Sequence, residues 1–408
     1  MFRICLLGAL VATAATAQVP EPVARTGVAE MLGILDRLEP AAGWLATPPG
    51  LQQESWDFYR TEFRMAPEGN EADEARVGLG RLLFFDQRLS RDRTLSCASC
   101  HDPRHGFAEP RARSVGIDGQ VVARNAPTVM NVGLQRGFFW DGRADTLEEQ
   151  AAGPILNPAE MGMPDRDAVV ARVRAESEYV ALFGLAYGRE PEFDDIARAL
   201  AAFERTLVFV DAPFDAFRAG QKDAIPADAQ QGFELFAEHC RSCHTVSLRA
   251  PSFSDGNFHN VGIGFADRDH RALGRVAFPK LFAAERGDGV DVGGLVGQYG
   301  ELGRALITKQ EYQVGAFRTA PLRNVALTAP YMHDGSLATL WDVVDHYNRG
   351  GTPNSWQDPQ IKALRLSDAQ VDQVVAFLFS LTDRRFAKEN RLAYDAQRRR
   401  GPPSPVIR

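Results

Sequence analysis

Cysteine is scarce in this chain. There are five in 408 residues, and Cys5 lies so near the start that four remain for the body of the protein. So few thiols exclude a small disulfide-stapled scaffold, for which cysteine must be dense. Long apolar runs are also missing. The uncharged stretch from Ile4 to Ala12 is too short to cross a bilayer as a helix, and no later segment is long and apolar enough. Basic charge is not in excess: 46 Lys and Arg against 53 Asp and Glu give a net charge of −7. That balance argues against a nucleic-acid partner. Strand-like alternation is scarce as well, which turns attention to helices.

What the chain does have begins with an export signal. Arg3 supplies a positive start, Ile4 to Ala12 an apolar run, and Ala15-Thr16-Ala17 the small residues of a cleavage site before Gln18. Residues 1–17 are therefore expected to be a signal peptide and the mature protein periplasmic. Cys5 sits inside this signal and comes too early to carry a lipid.

The other four cysteines fall in two pentapeptides, Cys97-Ala-Ser-Cys100-His101 and Cys240-Arg-Ser-Cys243-His244. A lone Cys-x-x-Cys fits a zinc site, a redox dithiol or a disulfide. The histidine that follows immediately, twice, fits covalent haem instead. Two thiols add to the vinyl groups of one haem, and the adjacent imidazole becomes the proximal iron ligand. The reading is two covalently bound haem c groups, held by Cys97, Cys100 and His101 and by Cys240, Cys243 and His244. Attachment of this kind takes place outside the cytoplasm, in agreement with the signal.

Helix-like segments precede both motifs, with Val77, Leu79, Leu82, Leu83 and Phe84 before the first and Phe233, Leu235 and Phe236 before the second. The expected fold is mainly α: two cytochrome-c-like helical haem domains packed together, with few short strands, consistent with a duplication. Residues 18–70 read as a helical extension, 71–222 as the first domain, 223–390 as the second and 391–408 as a basic tail that frays from Arg398. Arg166 to Tyr187 and Phe193 to Val210 have helical periods, Ala219 to Ala227 reads as a linker, and Gly287 to Gly303 as a glycine-rich loop.

Several blocks occur in order around the two motifs. They are Leu79-Gly80-Arg81-Leu82-Leu83-Phe84-Phe85-Asp86, Arg124-Asn125-Ala126-Pro127-Thr128, Phe139-Trp140-Asp141-Gly142-Arg143-Ala144 and Asn157-Pro158-Ala159-Glu160-Met161. Phe258-His259-Asn260-Val261-Gly262, Leu322-Arg323-Asn324-Val325 and Pro330-Tyr331-Met332-His333-Asp334-Gly335 follow. In these, Ala72 to Phe386 resembles the bacterial di-haem cytochrome c peroxidase and MauG superfamily. The resemblance implies peroxide chemistry at the first haem, with Glu160 as the acid–base group and Gln150 and Pro154 lining the same pocket. It makes Trp140 a bridge between the haems. Asn125, Thr328 and Pro330 match one Ca²⁺ site, the last two through backbone carbonyls. His259, Arg323 and Asn324 are expected around the second haem.

Two departures are visible in the residues. Many members close the first haem with a distal His until the second is reduced, yet no His occurs between His105 and His239. His105 follows the motif too closely to reach around the haem, so the first site is expected to be permanently open. The classical peroxidases carry Met as the second iron's sixth ligand where this chain has Tyr347, as MauG-type proteins do. A hard phenolate lowers the potential that a thioether raises. Met332, His346 and simple core packing of Tyr347 against Leu340 and Val344 are the alternatives.

Three functions follow from the resemblance. One is a periplasmic peroxidase of the cytochrome c peroxidase type, reducing hydrogen peroxide with electrons from a small redox protein such as a cytochrome c or cupredoxin. Another is a MauG-like oxidase that holds two oxidising equivalents over both haems and oxidises residues of a partner protein. A quinone-cofactor maturase of that kind has a tryptophan two residues before its second motif, where this chain has Glu238. The third is a two-haem electron carrier. A homodimer is a further expectation; a membrane span is not.

Overall fold

The computed structural model describes residues 66–246, 252–265, 269–285 and 297–399, except Glu68 and Ala72. The expected signal peptide and residues 18–65 of the extension lie outside the described residues. The described chain is helical. In order, α1 is Glu74–Phe85, α2 Leu147–Leu156, α3 Arg166–Arg174, α4 Ser177–Tyr187, α5 Phe193–Glu204 and α6 Pro213–Arg218. Then come α7 Ala227–His239, α8 His270–Glu285, α9 Ala305–Thr308, α10 Leu340–Asn348, α11 Asp368–Phe379 and α12 Ala387–Arg399. Two short strands, β1 (Phe258–His259) and β2 (Phe317–Arg318), pair antiparallel.

Helix starts follow local chemistry. The Thr146 hydroxyl accepts the Glu149 N–H while the Glu149 carboxylate takes the Thr146 N–H, and Thr339 with Asp342 does the same for α10. The periodic stretch from Arg166 to Tyr187 is two helices rather than one. Glu176 adopts extended backbone (φ −104°, ψ 110°) between them. The helix from Phe193 stops at Glu204, and Leu207 to Val210 continue as buried chain without regular secondary structure.

Two hydrophobic cores match the two haem motifs. In the first, α1 crosses α5; in the second, α7 crosses α11. Both crossings use a glycine where the helices touch backbone to backbone. A Cβ on Gly80 would stand 1.8 Å from the Ala199 carbonyl oxygen, and one on Gly232 would stand 1.8 Å from that of Gln373. Only a residue without Cβ allows either approach, and the repetition is what a duplicated unit should show. The second core is aromatic, with Phe214, Phe233, Phe236, Phe253 and Phe377 in ring contact. Phe214 brings α6 into this core, ahead of the linker.

The chain end differs from the tail read in the sequence: residues 391–399 belong to α12. Gln397 is buried there, its oxygen taking the Leu340 N–H at 2.9 Å and its amide donating to the Ala326 carbonyl at 3.0 Å. Those bonds to the second domain hold the helix in place. Just before it, Phe386 enters the first core beside Phe209, 5.1 Å between ring centres.

Candidate functional site

Each haem motif lies just after the helix that its glycine clamps, so packing fixes where the thiols point. Burial pushes both first-motif thiols up, Cys100 to about 12. The His101 Nδ1 is buried and closes no hydrogen bond, although the Phe107 and Pro127 backbones face the ring. An imidazole buried in that state is costly for the polypeptide alone and suited to a metal ligand. In the second motif, His244 Nδ1 donates to the Phe253 carbonyl at 2.9 Å. That bond fixes the tautomer and leaves the Nε2 lone pair for iron. Thiol pairs and imidazoles thus fit covalent haem at both places.

Near the first motif, α2 and the turn after it carry the expected peroxidatic residues. Asn157 Nδ2 donates to Glu160 Oε1 at 2.7 Å. The Ile117 N–H donates to the Glu160 carbonyl, and a Cβ on Gly116 would sit 1.8 Å from the Ala159 oxygen, so the turn is held against the 114–117 segment. Burial raises the Glu160 carboxyl above its ordinary range, opposed by the Arg143 guanidinium and the Asn157 amide. The same carboxyl acts on Cys100. Glu160, Arg143 and the first motif are therefore close enough to act on one another electrostatically. Arg143 lies 3.4 Å over the Phe139 ring and donates to Asp141 at 3.0 Å. Gln150 and Pro154 are half-buried on α2, the helix leading to that turn. His105 is exposed.

Between the domains, the Trp140 indole N–H donates to the Asn125 carbonyl at 2.8 Å. Its ring meets His333 edge-on, 6.5 Å between centres. A cavity of about 80 Å³ opens here, lined by Trp140 together with Asn125, Thr328 and Pro330. The three residues matched to calcium thus come to one space. His333, which has no role in the sequence reading, accepts or donates with Glu301 at 2.9 Å and stacks on Phe317 at 3.6 Å.

Beyond the second motif, Tyr347 is half-buried on α10. Burial, with the Cys240 and Cys243 sulfurs adding to it, pushes its phenol above the usual range. Its hydroxyl has no hydrogen-bond partner among the described residues, so it stands by the second motif uncommitted. The rivals are committed elsewhere: His346 bonds the Val261 carbonyl at 2.8 Å, and Met332 lines the interdomain cavity. His259 bridges Asp358 at 2.6 Å and Asp255 at 3.0 Å. The Cys243 sulfur and then these carboxylates push it up to about 10. Arg323 pairs with Asp215 at 2.6 Å, and Asn324 ties the Phe209 carbonyl to the Asp383 N–H. Arg323 also lies 5.6 Å over the ring of Phe253, the residue whose carbonyl holds His244.

Fold and site together define a two-domain, two-haem c-type cytochrome. The profile of the family described as di-haem cytochrome c peroxidase matches residues 74–223. The methylamine utilization protein MauG of Methylorubrum extorquens is 37% identical over 328 residues, covering 79% of this chain and 83% of that protein. The cytochrome c551 peroxidase of Pseudomonas aeruginosa is 34% identical over 359 residues, covering 86% and 91%. A crystal structure of a MauG-like protein associated with microbial copper homeostasis superposes with a TM-score of 0.65 at 30% identity, covering 78% of this chain and 92% of that one. The di-haem peroxidase BthA of Burkholderia thailandensis gives a TM-score of 0.61 at 26% identity, covering 78% and 88%. The chain belongs to the di-haem cytochrome c peroxidase and MauG family and is an oxidoreductase with two covalently bound haem c groups. No helix among the described residues is long and apolar enough to cross a membrane.

Proposed function

We propose that this protein is a periplasmic peroxidase that reduces hydrogen peroxide at the first haem. The observation that carries this reading is the half-buried Glu160 carboxyl, which feels both the Arg143 guanidinium and the Cys100 sulfur of the first haem motif. Haem iron, when bound, supplies the binding position for peroxide and the exchange of electrons. The chain's own residues do the rest. Asn157 occupies Oε1 of Glu160 and leaves Oε2 for the substrate. The carboxylate takes a proton from one peroxide oxygen and gives it to the other, which leaves as water. Two electrons and two protons in all convert the peroxide to two waters. A small redox protein supplies the electrons, which pass through the second domain and the Trp140 ring held by Asn125.

The absence of histidine between His105 and His239 supports a first site that needs no reductive opening. Extracytoplasmic haem attachment and the N-terminal signal pattern support the periplasm. Asn125, Thr328 and Pro330 would hold Ca²⁺ at the domain interface. The test is Glu160→Gln: both haems should be retained while peroxide turnover falls about 10²–10⁴-fold, the usual weight of a positioned acid–base group. Unchanged turnover would return Glu160 to a structural role.

A second reading is a MauG-like enzyme that oxidises residues of a partner protein. Tyr347 favours it, since a phenolate on the second iron suits storage of oxidising equivalents better than a thioether. Tryptophan or tyrosine oxidation in a candidate partner after peroxide addition, with little steady-state turnover of reduced cytochrome, would decide for it.

A further inference from the structure

Three arginines among the described residues are about equally buried: Arg205 and Arg318 at 7% exposure and Arg323 at 8%. Two of them follow the rule for buried cations. Arg205 makes a two-pronged pair with Glu148 (2.7 and 2.9 Å), and Arg323 one with Asp215 (2.8 and 2.6 Å). Arg318 does not. Among the described residues it meets no carboxylate; Nη1 donates to the Gln135 amide oxygen, Nε to the Phe139 carbonyl at 3.4 Å, and Nη2 to nothing. Burial alone drags the guanidinium down to about 10.

Its position says where the missing anion comes from. Arg318 is on β2, its main-chain N–H donating to the Trp140 carbonyl at 2.9 Å, and it lines the interdomain cavity with Trp140. No Asp or Glu lines that cavity. A divalent cation on Asn125, Thr328 and Pro330 would make the space more positive still. What balances it is then a carboxylate-like anion that the described residues do not supply, and each haem carries two carboxylates.

We propose that Arg318 is the docking cation for a haem propionate at the domain interface, joined to the inter-haem path through Trp140. The pair fixes one haem edge against the indole and holds that propionate ionised. The assignment stands on the two haems alone and is independent of whether peroxide or a partner protein is the substrate.

The experiment is spectroelectrochemistry of the holoprotein from pH 5 to 8, following the high-spin and low-spin haems separately. Three variants are compared with wild type. Arg318→Gln should lower the midpoint of one haem and make it pH-dependent, because the freed propionate then takes up a proton in this range. Arg318→Lys should restore most of both. Gln135→Glu, nearly isosteric, offers Arg318 a protein carboxylate and should shift the same haem downward even if Arg318→Gln fails to fold. Whichever haem moves owns the propionate. Unchanged midpoints and pH slopes in Gln135→Glu, and in Arg318→Gln where it folds, overturn the proposal. So does a wild-type midpoint that follows added phosphate or chloride, which would mark a small free anion instead.

Discussion

The indole N–H of Trp140 and the main-chain carbonyl of Asn125 are joined at 2.8 Å, and the Asn125 N–H in turn donates to the His333 carbonyl at 2.8 Å. One residue thus orients the aromatic ring between the domains while its side chain faces the place matched to calcium. Chelation of Ca²⁺ should therefore loosen Trp140. The expected outcome is slower electron exchange between the haems, with a change in tryptophan emission and no loss of haem. Flash or stopped-flow reduction with and without chelator measures it; identical rates, with no calcium bound by calorimetry, would remove calcium from the site.

Glu160 gives a pH prediction with a definite sign. Its carboxyl is raised above the ordinary value by burial, and it must be ionised to take the peroxide proton. Turnover should thus fall as pH drops through that raised value, above the usual carboxylate range. Arg143 opposes the rise, so Arg143→Ala should move the acid limb of kcat/KM to still higher pH. Glu160→Gln should abolish the limb. A profile whose acid limb is the same in all three proteins assigns it to another group.

Tyr347 is expected to ligate the second iron, with Tyr347→Met raising that haem's potential and weakening any sharing of oxidising equivalents between the haems. Low-temperature electron paramagnetic resonance and near-infrared absorption report the ligand pair. Wild-type protein showing the His/Met charge-transfer band would refute the phenolate and favour the classical peroxidase reading.

Glu204, at the end of α5, is 4% exposed, and its Oε2 has no partner. Burial, with Glu148 adding and Arg205 opposing, pushes it up to about 8 from 4.5. A carboxyl raised in the folded state gives stability that is complete below the unfolded value and is lost as pH rises through the folded one. Glu204→Gln does not titrate. It should match wild type near pH 4 and become more stable by on the order of a few kcal/mol above pH 8, about what a buried carboxyl shifted this far can contribute. Thermal unfolding of both proteins across that window is the check; a difference constant with pH would contradict the raised value.

Much of this could be read in the sequence because covalent haem writes its needs into consecutive residues. Cys97, Cys100 and His101 must lie side by side in the chain to reach one porphyrin, and so must Cys240, Cys243 and His244. Glu160 and Tyr347 could be found through the blocks that carry them. Arg318 could not. Its meaning depends on which carboxylates are absent around it, and arginine next to Phe317 reads like any strand residue. The same holds for Gly80 and Gly232, whose contacts lie more than a hundred residues away along the chain. The break at Glu176 was hidden because both flanking helices keep one apolar period. Helix α12 was hidden because its hold on the second domain rests on a buried glutamine and on Tyr394 against Trp341 and Phe379, within a segment that is otherwise strongly charged.

The insertion of Phe386 beside Phe209 bears on how the chain is made. A polypeptide emerging from its amino end can assemble the first haem unit as far as the α1–α5 crossing long before the second exists. Yet a piece of that unit's interior arrives only after α11 has closed the second crossing. The seam between the halves is sealed only once residue 386 is in place. Chains cut short before residue 386 would keep both attachment motifs but leave a hole in the first core. They would bear haem and still fail to join the two halves into one electrical circuit.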